Sequence, residues 1–434
     1  MPRRLMALIA WLLLIAVLPA QAQLRGHGGP VRALAISADG ATALSGSFDT
    51  SAILWSLKTN TARQVLRFHD GAVNAVAFLP DGRVVTAGAD ARIAIWNPGE
   101  TQPRNVLEGH TAPIVALAVS PDGKTLASAS WDRTVRLWPL AGGPPRVLEG
   151  NRQNVNGVAF LPDGSAVVSV GYDATLRIWP LRGGGGGGAN AGAPTVVDLP
   201  TPLNAVVVAP DGEILCAGAD GKVYVLSPAG RLHTAIQAGP TPIIALAISP
   251  NGALVAAAGV RGAVAVIDRA ERKVVRTLVG PGLPVWSAAF FPDNRTLLTG
   301  GADRIIRRWN ALTGDQIGSV TAGGPSDPLA AYAGDPGAKV FRACVACHTL
   351  KRGEGNRAGP TLAGLFGRRI ATLPGYNFSP ALTKLDIVWT ARTVNKLFEL
   401  GPAVFTPGTK MPEQTIGSAA DRAALVKFLQ KATQ

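Results

Sequence analysis

A chain of 434 residues, 47% hydrophobic and only 16% charged, is long enough for two or three domains and too apolar to be generally disordered. Its 51 glycines and 33 prolines argue against a mainly helical protein and for many turns joining short strands. The formal charge of +14 comes without a basic helix or an interleaved aromatic and basic groove, which argues against nucleic acid as the partner.

The first segment reads as a leader. Arg3 and Arg4 precede an apolar run over residues 5–18, and Ala20-Gln21-Ala22 follows as a small-residue cleavage site. That order predicts a secretory signal over residues 1–22, removed to leave a mature chain that starts near Gln23. The run is shorter than the roughly 20 residues a comfortable membrane span needs. An uncleaved anchor is the alternative, and no later segment predicts a span.

From residue 23 to about 322 the chain repeats itself. A four-residue turn, most often with Pro-Asp-Gly, recurs at 37–40, 79–82, 120–123, 161–164, 209–212, 249–252 and 291–294. Proline at the second place followed by Asp-Gly suits a tight turn between antiparallel strands. A second landmark follows at a fixed offset: Trp55, Trp96, Trp138, Trp179, Leu226, Ile267 and Trp309. Most steps are 41 or 42 residues; the single step of 47 contains the six glycines 183–188, a flexible insertion between two strands. These units resemble WD repeats, which implies a seven-bladed β-propeller with four strands per blade.

The resemblance implies a hydrogen-bonded set of histidine, Ser or Thr, aspartate and tryptophan within a blade. His27, Ser45, Asp49 and Trp55 match it, as do His69, Thr86, Asp90 and Trp96, and then His110, Ser128, Asp132 and Trp138. The fourth unit has Asn151 in place of histidine, the fifth has Asp220 with Leu226, and the sixth has Arg261 at the aspartate place. Propeller closure has two candidates for one edge, residues 315–320 and residues 23–25. Cys216 stands where other blades carry Ser or Thr and reads as a buried structural cysteine; His233 reads as solvated. Nothing in the propeller resembles a Ser-His-Asp or paired-carboxylate site.

A Pro/Gly-rich linker is expected over residues 323–334, followed by a separate small domain over 335–434. From Tyr332 onward there are 14 Lys plus Arg against 6 Asp plus Glu, so +8 of the net charge sits in this quarter of the chain. Such a basic face steers a protein toward an acidic partner. Asp335 and Pro336 form a helix start, and residues 421–431 form an amphipathic helix with Leu425, Phe428 and Leu429 on one side.

Cys344-Val345-Ala346-Cys347-His348 is C-x-x-C-H, the attachment motif of c-type haem. Two thiols add to the two vinyl groups, and the adjacent histidine reaches the iron. A redox dithiol or a partial metal site are the other readings of the five residues alone. The surrounding hundred residues resemble class I cytochrome c, an all-α domain, in a bacterial form. The resemblance implies a single covalent haem c held by Cys344 and Cys347, with His348 and Met411 as axial ligands of the iron. It implies Pro360 as acceptor of the histidine's other N–H, and Arg368, Trp389 and Thr409 among the haem's surroundings. Phe378 and Leu382 depart from the family pattern, which removes a donor expected near a propionate.

These features predict an exported, periplasmic electron-transfer protein, with the propeller as a scaffold for a redox partner bearing an acidic face. Lys351, Arg352 and Lys410 lie beside the haem motifs and suit that partner. Two alternatives remain: an oxidoreductase whose propeller binds a substrate or second cofactor, and a peroxidase or ligand sensor with a labile Met411 bond.

Overall fold

The computed structural model describes residues 23–181, 192–280, 282–318, 329–345, 347–376, 378–411 and 414–434. The expected leader over 1–22, the six glycines at 183–188, Val320 and linker residues 323–328 lie outside them.

Seven four-stranded antiparallel sheets follow one another along residues 24–310. The first is built from Val31–Ile36, Thr42–Ser47, Ser51–Ser56 and Thr61–Arg67. The last rests on Val285–Phe290, Thr296–Gly301 and Ile305–Asn310. Strand Val31–Ile36 packs against both Val73–Phe78 and Val285–Phe290, so the ring is closed. This is a seven-bladed propeller, as the repeat predicts.

The inner strands, such as Ala166–Gly171 and Leu254–Gly259, are built of small and apolar residues because they are buried on both faces, and the turns explain their pairing. The turn glycines Gly40 and Gly123 sit at φ of 68° and 69°, a region open to residues without Cβ. The seventh turn uses Asn294 at φ 61°, the residue that best tolerates the same conformation. Apolar side chains then bury between neighbouring blades. Val168, Leu176, Leu203, Ile214 and Tyr224 form one such cluster from the fourth and fifth sheets. Leu24, Ile53, Trp55, Leu298 and Ile306 form another across the first and seventh.

The two candidates for the closing edge share it. Leu24 pairs with Ile306 and Arg25 with Ile305, at the start of the strand. At its far end Trp309 bridges Gln316, and the Ile317 N–H donates to the Arg308 carbonyl at 2.8 Å. One edge strand thus accepts two short partners in succession, tying the N-terminal residues to the last blade.

The polar sets form as expected in the first three blades. In the third, His110 Nδ1 lies 2.7 Å from Asp132 Oδ2, His110 Nε2 2.7 Å from Ser128 Oγ, and Trp138 Nε1 donates to Ser128 Oγ at 2.8 Å. Blade four keeps only the tryptophan link, Trp179 Nε1 to Ser169 Oγ at 2.8 Å; Asn151 turns away and donates to the Arg133 carbonyl. Blade five replaces the missing ring with Tyr224, whose hydroxyl donates to Asp220 Oδ2 at 2.7 Å. Blade six leaves Arg261 exposed. Cys216 is fully buried, and burial pushes its thiol pKa far up, which keeps it inert. His233 is exposed and lies 3.6 Å from Glu213.

Burial by itself would raise the carboxyls of Asp90 and Asp132, yet their histidine partners and neighbouring donors hold both well below the ordinary range. A depressed folded-state pKa stabilises the fold fully above the unfolded value of about 3.9, and the gain is lost as pH falls below it. Strand circular dichroism should therefore hold steady down to about pH 4 and fall in more acid solution. Asp132→Ala should cost about 1–3 kcal/mol at neutral pH and flatten the acid limb. An unchanged acid limb would count against this account.

The C-terminal part is helical. Its helices are α1 (Pro336–Phe341), α2 (Ala391–Leu400), α3 (Pro402–Phe405) and α4 (Ala419–Ala432). Asp335 caps α1, its carboxylate accepting from the Gly337 and Ala338 N–H groups, with Pro336 at the first position. α1 crosses α4 at Gly337: a Cβ there would come within 2.1 Å of the Ala424 carbonyl oxygen and 2.5 Å of Phe428 Cβ. Gly337→Val should therefore destabilise this domain by about 1–3 kcal/mol through overpacking, read from denaturant unfolding of the full chain. Among the described residues, no helix is long and apolar enough to cross a membrane.

Candidate functional site

The cleft of interest opens between α1, the loops after it, α2 and the segment before Met411. Cys344, Cys347, His348, Pro360, Arg368, Trp389, Thr409 and Met411 all line it. Every site residue expected from the sequence is thus brought to one place.

Local structure explains how. Past α1 the chain stays in tight turns: the Cys347 and His348 N–H groups both donate to the Cys344 carbonyl, at 3.1 and 3.0 Å. One turn therefore brings both sulfurs and the adjacent imidazole to the same wall. Ala346 lies outside the described residues. The chain then doubles back, with the Gly359 N–H donating to the Cys347 carbonyl at 2.7 Å. Gly359 lies flat against the imidazole; a Cβ there would sit 2.4 Å from His348 Cε1 and 2.7 Å from Nδ1. Only glycine fits that cradle.

His348 Nδ1 is 2.8 Å from the Pro360 carbonyl oxygen. A carbonyl only accepts, so Nδ1 carries the proton and Nε2 keeps its lone pair. Burial lowers the His348 pKa to about 4, so the ring is neutral at ordinary pH and ready to ligate a metal. Burial also raises the thiols of Cys344, to about 12, and Cys347, to about 11. They are protonated and apolar in character until something reacts with them.

The opposite wall is a loop. Thr409 N–H donates to the Thr406 carbonyl at 3.1 Å, and the Met411 N–H donates to Thr409 Oγ1 at 3.1 Å. That pair holds Met411 at the cleft. Arg368 and Trp389 are joined by backbone bonds, with the Trp389 N–H donating to the Arg368 carbonyl at 2.9 Å. The Arg368 guanidinium donates to the carbonyls of Ala363 and Thr361, at 3.0 and 3.1 Å. Burial lowers its pKa, leaving a desolvated cation at the cleft. Phe378 and Leu382 also line the cleft, adding no donor.

This donor set fits a c-type haem: two thiols one turn apart, a tautomer-fixed imidazole in a glycine cradle, a thioether across the cleft and mostly apolar walls.

Two features escaped sequence reasoning. Asp49 and Arg67, both from the first propeller blade, line the same cleft. The cytochrome-like domain sits on the propeller: the Ala358 N–H donates to the Gly26 carbonyl at 2.8 Å, and a Cβ on Gly28 would lie 2.2 Å from Cys347 Sγ. Lys410, expected to await an acidic partner, is already held by one in the chain itself. Its Nζ donates to Asp70 Oδ1 and, at 2.9 Å, to the His69 carbonyl. Lys351 and Arg352 remain exposed. No periodicity or motif joins residues hundreds of positions apart, so the sequence carried no signal for these contacts.

Two family models match this chain. The family model for the WD domain, G-beta repeat, matches residues 19–56, 60–97, 101–139, 142–180 and 272–310. The fifth and sixth blades, which lack the tryptophan and the histidine, are not matched, although the fold includes them. The family model for cytochrome c matches residues 334–433. Cytochrome c of Sesamum indicum is 39% identical over 98 residues, 22% of this chain and 87% of that protein. Cytochrome c of Cochliobolus lunatus is 40% identical over 99 residues, 23% of this chain and 91% of that protein.

Proposed function

The chain belongs, through residues 334–433, to the cytochrome c family, and from that premise we propose that it is an exported, periplasmic carrier of single electrons with one covalently attached haem c. The propeller is its docking scaffold for a redox partner protein. The reading is carried by the cleft in which Cys344, Cys347, His348 and Met411 meet. The haem supplies the iron that alternates between two oxidation states. The chain's residues do the rest. Cys344 and Cys347 would fasten the porphyrin, and His348, its ring fixed by the bond to Pro360, would hold the iron together with Met411. An iron held by both an imidazole and a thioether would be suited to electron transfer rather than to oxygen chemistry.

The scaffold role draws support from three aromatics. Phe48, Trp131 and Tyr172 are 48%, 42% and 45% exposed, each just before the aspartate of its blade. They occupy the same end of the propeller as Asp49 and Gly28, which face the cytochrome domain. A partner seated on such aromatics would sit beside the haem. Exposed Lys351 and Arg352 suit an acidic rim on that partner.

The test is expression in a host with a periplasmic haem-maturation system. The periplasmic fraction should yield a polypeptide starting near Gln23, one haem heavier than its sequence mass, and reversibly reduced by one electron. A polypeptide of apoprotein mass without porphyrin absorbance would end the electron-carrier reading. Retention in the cytoplasm or in the membrane would end the periplasmic one.

A further inference from the structure

The cleft has one wall that the cytochrome domain does not build. Asp49 and Arg67 supply it from the first blade, outside the residues that match the cytochrome family model. Asp49 is fully engaged within its blade. Its Oδ2 accepts from the Gly28 N–H at 2.7 Å and lies 3.0 Å from His27 Nδ1; its Oδ1 accepts from the Ser51 N–H at 3.0 Å and from the Ser51 hydroxyl.

Arg67 is half-buried and only partly engaged: it interacts with the Asp49 carboxylate and with Tyr376. Its guanidinium Cζ lies 5.6 Å from the centre of the Tyr376 ring, a cytochrome residue whose hydroxyl donates to the Ala358 carbonyl at 2.6 Å. Its Nε and Nη1 are buried and have no hydrogen-bond partner among the described residues. A buried guanidinium with unpaired N–H groups is costly and calls for an anion. Arg304, which reaches the Gly28 carbonyl, and Arg357, which reaches the Val345 carbonyl, add two more cations around Cys347. Three arginines thus surround that end of the cleft, with Asp49 as the acid among them.

Haem carries its two propionate carboxylates on the pyrroles next to those that bear the vinyl groups. A porphyrin bonded to Cys347 therefore brings one carboxylate-bearing pyrrole adjacent to the pyrrole attached at that sulfur. We propose that Arg67 is a positioning residue of the haem site, delivered by the propeller, whose buried guanidinium pairs with a haem propionate and raises the reduction potential. This rests on the haem reading above. A cation beside the haem disfavours the more positive ferric state, so its loss should favour ferric iron.

Midpoint potentials of the full-length, haem-loaded protein test the proposal. Arg67→Gln should lower the potential, weakening reduction by a common donor on the order of tenfold in equilibrium constant. Arg67→Lys keeps the charge and should recover part of the shift. Arg63→Gln, on the same strand but exposed, makes the same charge change away from the cleft and should leave the potential where it was. An unshifted potential in Arg67→Gln, or an equal shift in Arg63→Gln, overturns the proposal while porphyrin absorbance and axial ligation stay intact. If Arg67→Gln fails to fold, Arg67→Lys decides through the propionate infrared band: a band that shifts from its position in the unmutated protein supports the pairing, and one that does not move overturns it. Absence of porphyrin from the unmutated protein is a different result, and it would sink the haem reading itself.

Discussion

Serine at both Cys344 and Cys347 is expected to leave no porphyrin on the denatured polypeptide, where the unmutated protein should keep one through denaturation. A hydroxyl does not replace a thiol in addition to a vinyl group, and Cys216, the remaining cysteine, is fully buried in the propeller. The effect should reach beyond attachment. Phe341, Leu365, Leu397, Phe398 and Leu429 face the cleft from the domain's own core. Without a porphyrin between them, a domain of about one hundred residues would hold an apolar cleft in place of the centre of its core, and small domains have little stability to spare. Haem-stained denaturing gels and intact mass read the first effect; loss of helical circular dichroism with retained strand signal reads the second. Covalent porphyrin on the double serine variant would refute the assignment of the two sulfurs. The Cys347→Ser variant alone should keep one thioether link and a shifted absorbance maximum.

The legible parts of this protein were those written as local pattern. Seven turns at one period announced seven blades, because a tight turn demands the same few residues each time it occurs. C-x-x-C-H was legible because one turn of backbone is enough to bring two sulfurs and a ring together. Blades five and six were recognisable by turn and strand alone: their polar sets had changed, and Tyr224 restored a link to Asp220 that no template anticipates. Ring closure was ambiguous because both candidate segments are real partners of the strand Ile305–Asn310, each for half of its length. The seat of the cytochrome domain on the propeller was illegible for a different reason. Arg67 and Tyr376, or Asp70 and Lys410, are joined only after two separate folds have formed. Their residue types carry no mark of the contact, and a lysine facing solvent reads the same as one facing its own chain.

That contact bears directly on Met411. Met411→Ala is expected to open one axial position: the oxidised protein should lose its weak long-wavelength sulfur-to-iron band, and the ferrous protein should bind carbon monoxide, which the unmutated protein should exclude. The reduction potential should fall, because a thioether favours ferrous iron and an open or water-filled position does not. No other methionine can substitute, since Met1 and Met6 are the only others in the chain and both belong to the expected leader. The loop should nevertheless stay where it is. Lys410, the preceding residue, remains tied to Asp70 and to the His69 carbonyl, and Thr409 keeps its bond to the Thr406 carbonyl. The change can therefore be assigned to one sulfur atom and not to loss of the loop. Asp70→Asn provides the complementary case: it should loosen the loop's anchor while leaving the sulfur, so the band should persist and fade at a lower temperature than in the unmutated protein. An intact long-wavelength band in Met411→Ala, with no carbon monoxide complex, would mean that another side chain holds the iron.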